Sequence, residues 1–504
     1  MNYNFDKINT FAQLKASGYK SRSTKDEMRE NLITQLKTGK QKFKGIIGYD
    51  ETVIPDIQSA ILSRHNIILL GLRGQAKTKI ARMMTTLLDD YLPIIAGSEL
   101  NDNPFHPISR YGKDKISEMG DDTPIEWIKS DERYTEKLAT PDVTIADLIG
   151  DVDPIKAATL KLPYSDERVI HFGLIPRSHR GIFVINELPD LQARIQVALF
   201  NILQEKDVQI RGFKIRLPLD VQFVFTANPE DYTNRGSIVT PLKDRIDSQI
   251  MTHYARTIEE SRTITDLEAK LTEEQIKNIK APKLVKDLVE QVAFEARKSE
   301  YVDSKSGVSA RLTISALENL ISTAERRMLI NGEEETTIRI SDFIGVIPSI
   351  TGKVELVYEG EQEGTATVAQ ILIGKAIRKQ FEEYFPSPDK IKKSQQKNPY
   401  AEITQWFSQN NLDLLNNISD KEYRKLLGTV TNLDAVIKKL HPQLPENEYY
   451  LMMEFLLHGL AEYSLISKQR VEFGMQFKDM ISTMFSQQKD DDEDYNFNEE
   501  DFQN

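Results

Sequence analysis

Residues 66–78 read NIILLGLRGQAKT, an apolar run that leads directly into a glycine-containing turn. A helical pattern of apolar residues follows at 79–88. A strand, a glycine-containing turn and a helix in this order form the context that a P-loop requires. The turn is therefore predicted to bind phosphate, with backbone amides at the start of the helix facing the phosphate oxygens.

The side chains of this turn have distinct predicted roles. Lys77 is expected to reach the terminal phosphate oxygens, and the Thr78 hydroxyl to be a ligand of Mg²⁺. ATP and Mg²⁺ are the expected cofactors. The predicted nucleotide contacts are Gly71, Arg73, Gly74, Gln75, Ala76, Lys77, Thr78 and Lys79.

One position departs from the P-loop pattern G-x-x-x-x-G-K-[ST]. Ala76 stands where the last glycine is expected, and its Cβ costs about 1 kcal/mol if the turn needs a positive φ there. We therefore expect nucleotide binding to be weakened but not lost. The alternative interpretation is an ordinary strand-to-helix turn that carries a solvent-exposed lysine.

A second apolar run, 181–185, ends at Asn186 and Glu187 and resembles a Walker B strand. In that pattern the first residue supports the metal and the second polarises the attacking water. Asn186 is therefore a predicted metal-site residue and Glu187 a predicted catalytic residue. Because Asn186 replaces an acid, the metal site lacks one expected charge. The alternative is a buried strand with a polar end.

Three more residues are predicted to take part in hydrolysis. Asn228 follows the apolar run 221–225, at the tip of a strand where sensor 1 orients the lytic water. Arg245 is placed as an arginine finger, with Arg235 as a weaker competitor. Arg311, at the start of a helix, resembles sensor 2. Taken singly, an arginine of this kind is more often a solvated or ion-paired residue.

A chain of 504 residues predicts about three domains. Apolar runs at 66–70, 181–185, 221–225 and 248–255 predict buried parallel strands of an α/β domain. Helix signals dominate afterwards, with capping pairs at Thr257 and Glu260, Thr272 and Gln275, and Ser419 and Glu422. The predicted division is a helical extension at 1–43, an α/β domain at 44–255, a helical lid at 256–350, a mostly helical region at 351–485 with a linker near 386–399, and an acidic disordered tail at 486–504.

Composition excludes several classes of protein. The absence of cysteine rules out disulfides and thiolate metal sites, and the seven histidines are scattered, so we expect no histidine metal cluster. No apolar run is long enough for a membrane span and no secretory signal is visible, which favours a cytoplasmic protein. The net charge is −12, and much of it lies in the tail. We therefore expect no nucleic-acid partner.

Taken in order, these elements resemble the AAA+ clade that contains the magnesium chelatase ATPase subunit and the MoxR proteins. The resemblance covers roughly residues 43–350. The segment VIHFGLIPRSHRG at 169–181 is similar to a chelatase segment, 143–161 to the helix 2 insert, and 208–218 to the presensor 1 hairpin. On this hairpin Arg211, Lys214 and Arg216 are predicted to share one face, either a pore-facing stripe or an ordinary exposed surface.

The resemblance implies an αβα nucleotide domain with an all-α lid, to which this chain adds extra C-terminal helices. It also implies a hexameric ring and a protein partner that often carries a von Willebrand A domain. We expect a MoxR-like role in remodelling or activating a partner. The alternatives are a nucleotide-gated scaffold with little hydrolysis and the motor of a metal chelatase. Activation of a sigma factor is disfavoured, because the sequence shows no helix-turn-helix and no GAFTGA-like loop.

Overall fold

The computed structural model describes residues 7–39, 43–163, 166–210, 216–229, 237–394, 398–471 and 474–480. The chain divides into two compact units, 1–254 and 255–504. Within the described ranges, no helix combines the length and the apolar character that a membrane crossing needs.

The first unit contains a central sheet, three two-stranded pairs and surrounding helices. Its strands are β1 Ile67–Leu70, β2 Tyr91–Ile95, β3 Ile125–Lys129, β4 Tyr134–Leu138, β5 Gly150–Val152, β6 Ile170–Phe172, β7 Gly181–Asn186, β8 Asp207–Gln209, β9 Arg216–Pro218, β10 Val221–Ala227 and β11 Ser248–Met251. Its helices are α1 Phe11–Ala16, α2 Thr24–Thr38, α3 Val53–Leu62, α4 Lys77–Met83, α5 Arg110–Met119, α6 Ile145–Leu148, α7 Pro154–Leu160, α8 Leu174–Arg177, α9 Ala193–Glu205 and α10 Thr240–Asp244.

The central sheet has five strands in the order β11-β1-β10-β7-β4, and every neighbouring pair is parallel. Successive residues of β1 face opposite sides: Ile68 and Leu70 belong to one hydrophobic core, and Ile67 and Leu69 to another. Burial on both faces explains why the interior strands β1, β7 and β10 are mainly apolar, whereas the edge strands β11 and β4 are partly exposed and contain more polar residues. The α/β class predicted from the sequence is confirmed, and the four predicted runs form four of the five strands.

Thr24 and Glu27 have the spacing of a capping box, which predicts Thr24 as the N-cap of the first long helix, and this prediction is wrong by one residue. The cap of α2 is Ser23, whose hydroxyl accepts a hydrogen bond from the Asp26 amide. Thr24 instead donates its amide and hydroxyl to Asp220 Oδ2, at 2.7 and 3.1 Å. A tertiary contact thus takes the residue that local spacing had assigned to the cap.

The second unit is mainly helical. Its helices are α11 Ile258–Glu268, α12 Glu273–Asn278, α13 Lys283–Ala296, α14 Arg311–Ile330, α15 Ile347–Thr351, α16 Tyr358–Glu363, α17 Thr365–Tyr384, α18 Pro388–Ser394, α19 Ala401–Phe407, α20 Asp420–Leu427, α21 Leu433–Leu440 and α22 Glu446–Glu462. Its strands are β12 Ile279–Lys280, β13 Thr336–Thr337, β14 Leu412–Leu415, β15 Ser467–Val471 and β16 Gly474–Lys478.

One hydrophobic core extends from Ile279 to Phe477 in the second unit, so residues on both sides of position 350 share it. The three predicted caps are present: Thr257, Thr272 and Ser419 each accept a hydrogen bond from the amide three residues later. Strands β12 and β13 form a short parallel pair within the stretch predicted as all-α. A three-stranded antiparallel sheet, β14-β16-β15, was also not predicted.

Candidate functional site

The turn 71–78 leaves the carboxyl end of β1 in the middle of the parallel sheet. The Gly71 amide donates to the Ala227 carbonyl at 3.1 Å, which ties the start of the turn to β10. A Cβ at Gly71 would lie 1.9 Å from Thr252 Oγ1, so only glycine fits there. Gly74 has a φ of 74°, a left-handed conformation that glycine adopts without a steric cost.

Ala76 also adopts the left-handed conformation, with φ 58° and ψ 14°. The positive φ considered for position 76 in the sequence analysis is therefore present in the folded turn. An alanine in this region costs about 1 kcal/mol relative to glycine. The substitution thus preserves the turn conformation but places backbone strain beside the predicted phosphate position.

Side chains from elsewhere in the unit hold the turn in place. The Tyr49 hydroxyl donates to the Gln75 carbonyl at 3.0 Å, and the Tyr254 hydroxyl donates to the Arg73 carbonyl at 2.9 Å. The Thr252 hydroxyl donates to Gln75 Oε1 at 2.7 Å. These three hydrogen bonds therefore fix the conformation of the turn.

The two P-loop side chains lie differently. Lys77 is buried, and its Nζ donates to the carbonyls of Gly71 and, at 3.0 Å, Leu72. Thr78 is exposed at the edge of the sheet. Lys79 Nζ donates to the Gly45 carbonyl at 3.1 Å, and its predicted phosphate contact stays a prediction.

Strand β7 brings Asn186 and Glu187 to the same edge. Asn186 is buried, its Oδ1 lies 3.5 Å from Thr78 Oγ1, and the same oxygen accepts a hydrogen bond from the Thr226 hydroxyl at 3.1 Å. Glu187 has a φ of 54°, and its amide donates to Thr226 Oγ1 at 3.2 Å. The structure thus places Asn186 beside Thr78, the predicted metal ligand, and Glu187 directly after Asn186 at the end of β7.

Glu136 is a neighbour of this site that the sequence analysis missed. Asn186 Nδ2 donates to Glu136 Oε1 at 2.8 Å. The other carboxylate oxygen accepts from the Tyr134 hydroxyl at 2.9 Å and from Arg82 at 3.0 Å. Glu136 lies on the edge strand β4, whose sequence Tyr134–Leu138 has neither an apolar run nor a polar and apolar alternation, so it carried no clear strand signal.

The other predicted catalytic residues are less close to one another. Asn228 is buried and directly follows β10, between the ends of β1 and β7. Arg245 follows α10 and is held within its own unit, because its Nε donates to Gln204 Oε1 at 3.0 Å and a second nitrogen donates to the Pro241 carbonyl at 2.7 Å. Its predicted contact with a neighbouring subunit stays a prediction.

Several predicted residues belong to other parts of the chain. Arg311 is the first residue of α14 in the second unit, and it is exposed. Arg216 is exposed on β9, 3.6 Å from Asp207 Oδ2, in the antiparallel pair formed by β8 and β9. Arg235, Arg211 and Lys214 lie outside the described residues.

Histidine contributes no metal ligand set in the described part of the chain. His179 is buried, and its Nδ1 accepts a hydrogen bond from the Asp220 amide at 3.0 Å. Burial lowers the pKa of His179 to about 3, so the ring is neutral near pH 7. Over the described residues, no three or more His, Asp or Glu side chains come together as a metal site.

The oxygens at the sheet edge nevertheless suit Mg²⁺ bound together with a nucleotide. This ion usually keeps water and phosphate ligands and takes only one or two from the protein. Thr78 Oγ1 and Asn186 Oδ1 converge at 3.5 Å, and the Glu136 carboxylate lies directly behind them. The residues present therefore fit the ion.

Comparison with known proteins agrees with this geometry. Residues 163–248 match the sigma-54 interaction domain family, and this stretch includes β7, β10, Glu187, Asn228 and Arg245. The match covers well under half of the chain. It contains three of the four predicted catalytic residues, all except Arg311, but no GAFTGA sequence. Together with the parallel sheet order, it identifies the first unit as an AAA+ α/β domain.

Three solved structures show similarity at low identity. A protein from Cytophaga hutchinsonii proposed to be an ATPase has 16% identity and a TM-score of 0.29, over 72% of this chain and 98% of that one. NtrX from Brucella abortus in complex with ATP has 13% identity and a TM-score of 0.34, over 55% and 50%. Hsp104 with ATPγS and casein has 13% identity and a TM-score of 0.38, over 65% and 53%. The chain spans about half the length of the NtrX and Hsp104 chains.

Proposed function

We propose that this chain is an ATPase of the MoxR and magnesium chelatase type, which acts in the cytoplasm as a homohexameric ring. It couples ATP binding and hydrolysis to remodelling or activation of a partner protein, one with a von Willebrand A domain. The single observation that carries this proposal is the turn 71–78 at the carboxyl edge of the parallel sheet, with Thr78, Asn186 and Glu187 gathered beside it.

Lys77 supports the binding step. Its Nζ lies over the turn and donates to two carbonyls, at Gly71 and Leu72, which keeps the ammonium above the backbone. On binding, Lys77 exchanges these carbonyls for the terminal phosphate oxygens, which are stronger acceptors because they carry charge. Thr78 and Asn186 would hold Mg²⁺ through their side-chain oxygens, and the ion would neutralise charge on the phosphates.

Glu187 supports the hydrolysis step. Its carboxylate directly follows the buried strand β7, and the left-handed backbone at this residue sets the direction of its side chain. A carboxylate at this place can polarise a water molecule and accept its proton. Asn228, at the end of the neighbouring strand β10, can orient the same water through its amide. Arg245 is proposed to act from a neighbouring subunit, and Arg311 is proposed to act as sensor 2.

Two substitutions test this assignment. Lys77→Ala removes the ammonium that contacts the phosphates and is expected to weaken ATP binding by about 10- to 100-fold, which corresponds to about 1.5–3 kcal/mol for a charged hydrogen bond. Glu187→Gln is expected to keep ATP affinity within about threefold and to lower phosphate release by about 10²- to 10⁴-fold. Lys113→Ala, on the surface of α5, is the matched control and should behave as wild type.

The same variants test the ring and the partner. Glu187→Gln with ATP should accumulate as a hexamer in sedimentation experiments and retain its partner in a pull-down from the native host. Lys77→Ala with ATP should neither accumulate as a hexamer nor retain the partner. Wild-type turnover in both variants would show that the site is wrongly assigned.

A nucleotide-gated scaffold is the second candidate, and two observations favour it. Asn186 supplies no charge to the metal, and Ala76 strains the turn beside the phosphates. Steady-state phosphate release separates the two functions. A scaffold would bind ATP and assemble, but wild type and Glu187→Gln would release phosphate at the same very low rate.

A further inference from the structure

Asn186 stands where the Walker B pattern has an acid, and the carboxylate of Glu136 lies beside it on the neighbouring strand β4. In the register of β4 and β7, Glu136 lies opposite Val184 and Leu138 lies opposite Asn186. Because side chains alternate along a strand, Glu136 and Asn186 project from the same face of the sheet. Their side chains meet in a hydrogen bond of 2.8 Å between Asn186 Nδ2 and Glu136 Oε1.

This hydrogen bond sets the orientation of the Asn186 amide. An ionised carboxylate only accepts hydrogen bonds and an amide nitrogen only donates them, so Nδ2 must face Glu136. Asn186 Oδ1 consequently faces the other way, toward the hydroxyls of Thr226 at 3.1 Å and Thr78 at 3.5 Å. Without Glu136, the amide could rotate and present its nitrogen to the metal.

Glu136 is itself held firmly. Its second oxygen accepts from the Tyr134 hydroxyl at 2.9 Å and from Arg82 at 3.0 Å, and its side chain is only 26% exposed. The Arg82 side chain is 68% exposed, so water screens that ion pair and it adds little to stability. Of the contacts of Glu136, the hydrogen bond with Asn186 is therefore the more important one for the site.

We propose that Glu136 is a positioning residue of the Mg²⁺–ATP site. It aims the Asn186 oxygen at the metal position and supplies, from the next strand, the negative charge that Asn186 lacks. This inference rests on the proposed ATP-binding function. A carboxylate on β4 thereby belongs to the site in place of an acid at position 186.

The test uses an exchange of the two functional groups in the full-length chain. Glu136→Gln removes the charge and keeps the shape. The double variant Glu136→Gln with Asn186→Asp returns the charge to β7 and keeps both the net charge and one hydrogen bond between the strands. Glu126→Gln, a carboxylate on β3 outside the central sheet, is the matched control. Each protein is titrated with ATP in excess Mg²⁺ and again in EDTA.

Glu136→Gln should weaken ATP binding in Mg²⁺ by about 10- to 100-fold, the usual cost of losing a carboxylate behind a metal ligand, and should leave binding in EDTA unchanged. The double variant should regain wild-type affinity in Mg²⁺ to within about threefold, or bind more tightly. Glu126→Gln should match wild type under both conditions.

Three results would overturn the inference. Glu136→Gln could keep wild-type affinity in Mg²⁺, it could lose affinity equally in EDTA, or the double variant could fail to recover. The second and third results would show a purely structural role. A wild-type chain that binds no ATP in either buffer would instead refute the proposed function, so the two failures are distinguishable.

Discussion

Two polar networks in this molecule have opposite characters. At the carboxyl edge of the central sheet, Thr78, Asn186 and Glu136 form a chain of contacts that ends at an exposed hydroxyl. In the core of the second unit, Arg327 and Asp342 form an ion pair whose two side chains are almost completely buried. The first network has polar groups available to a ligand, whereas the second is satisfied by the protein.

The saturation of the second network is visible atom by atom. Arg327 donates to both carboxylate oxygens of Asp342, at 3.0 and 2.9 Å, and also to the Thr336 hydroxyl and the Thr337 carbonyl. Nearby, Glu454 accepts from the amides of Ile340 and Ser341 and from the Tyr423 hydroxyl. Burial and saturation therefore indicate a structural role, whereas exposure and strain at the sheet edge indicate a functional one.

The largest expected effect comes from breaking the saturated network. Asp342→Ala leaves the Arg327 guanidinium buried without its counterion and should lower the free energy of unfolding by about 3–5 kcal/mol. Urea denaturation followed by circular dichroism measures this change. The ATP affinity of the folded fraction should remain that of wild type.

Asp389→Ala is the matched control in the same unit. Asp389 pairs with Arg378 at 3.2 Å, and both side chains are about half exposed. An exposed pair contributes at most about 1 kcal/mol, so this variant should unfold almost as wild type does. Equal losses in the two variants would contradict the distinction between the networks.

His179 can show whether a structural role follows from burial or from the unit to which a residue belongs. It lies in the first unit, and burial, reinforced by the charge of Arg180, lowers its pKa to about 3. The unfolded chain binds a proton below about pH 6.5 and the folded chain does not, so stability must fall as the pH falls from 6.5 toward 3. Between pH 7 and pH 5 this group should remove about 2 kcal/mol.

The measurement is the unfolding free energy of wild type and His179→Asn at both pH values. The asparagine can accept the hydrogen bond from Asp220 but does not titrate in this range. Its loss of stability between pH 7 and pH 5 should be smaller than that of wild type by about 2 kcal/mol. Equal pH dependence in the two proteins would show that His179 titrates normally in the folded state.

The smallest effect concerns the strain at the sheet edge. Ala76→Gly should change the free energy of unfolding by no more than about 1 kcal/mol, in the stabilising direction, because glycine adopts the left-handed conformation freely. Ala81→Gly, in helix α4, should lower the free energy of unfolding by about 1 kcal/mol or more. Glycine increases the backbone entropy of the unfolded chain, and the substitution also removes a buried methyl group. Two changes of the same sign would mean that Ala76 is not strained.

The sequence predicted the sheet best where its strands are buried on both faces. Strands β1, β7 and β10 are mainly apolar and buried throughout, so each was recognised without its partners. The edge strand β11, Ser248–Met251, begins with two polar residues and covers only the first half of the predicted run 248–255. Strand β4 is an edge strand with three consecutive polar residues at 135–137, so it has no apolar run and was not recognised. The short strands β14, β15 and β16 were missed for a similar reason, because helix signals surround them.

The site was predictable only where a residue follows a recognisable strand. Asn186, Glu187 and Asn228 were found because each follows an apolar run directly. Glu136 was not found, because its contact with Asn186 depends on the register of β4 and β7, which could not be predicted from the sequence. Thr24 shows the same limit, since its contact with Asp220 joins residues far apart in the chain.

The central claim is that the turn 71–78 holds the triphosphate of ATP. Isothermal titration calorimetry of the folded wild-type chain with ATP and Mg²⁺ tests it most directly, with Lys77→Ala measured alongside. Wild type should bind ATP saturably, and Lys77→Ala should bind it with an affinity lower by about 10- to 100-fold. A folded wild-type chain that takes up no ATP, or a Lys77→Ala variant that binds as tightly as wild type, would contradict it.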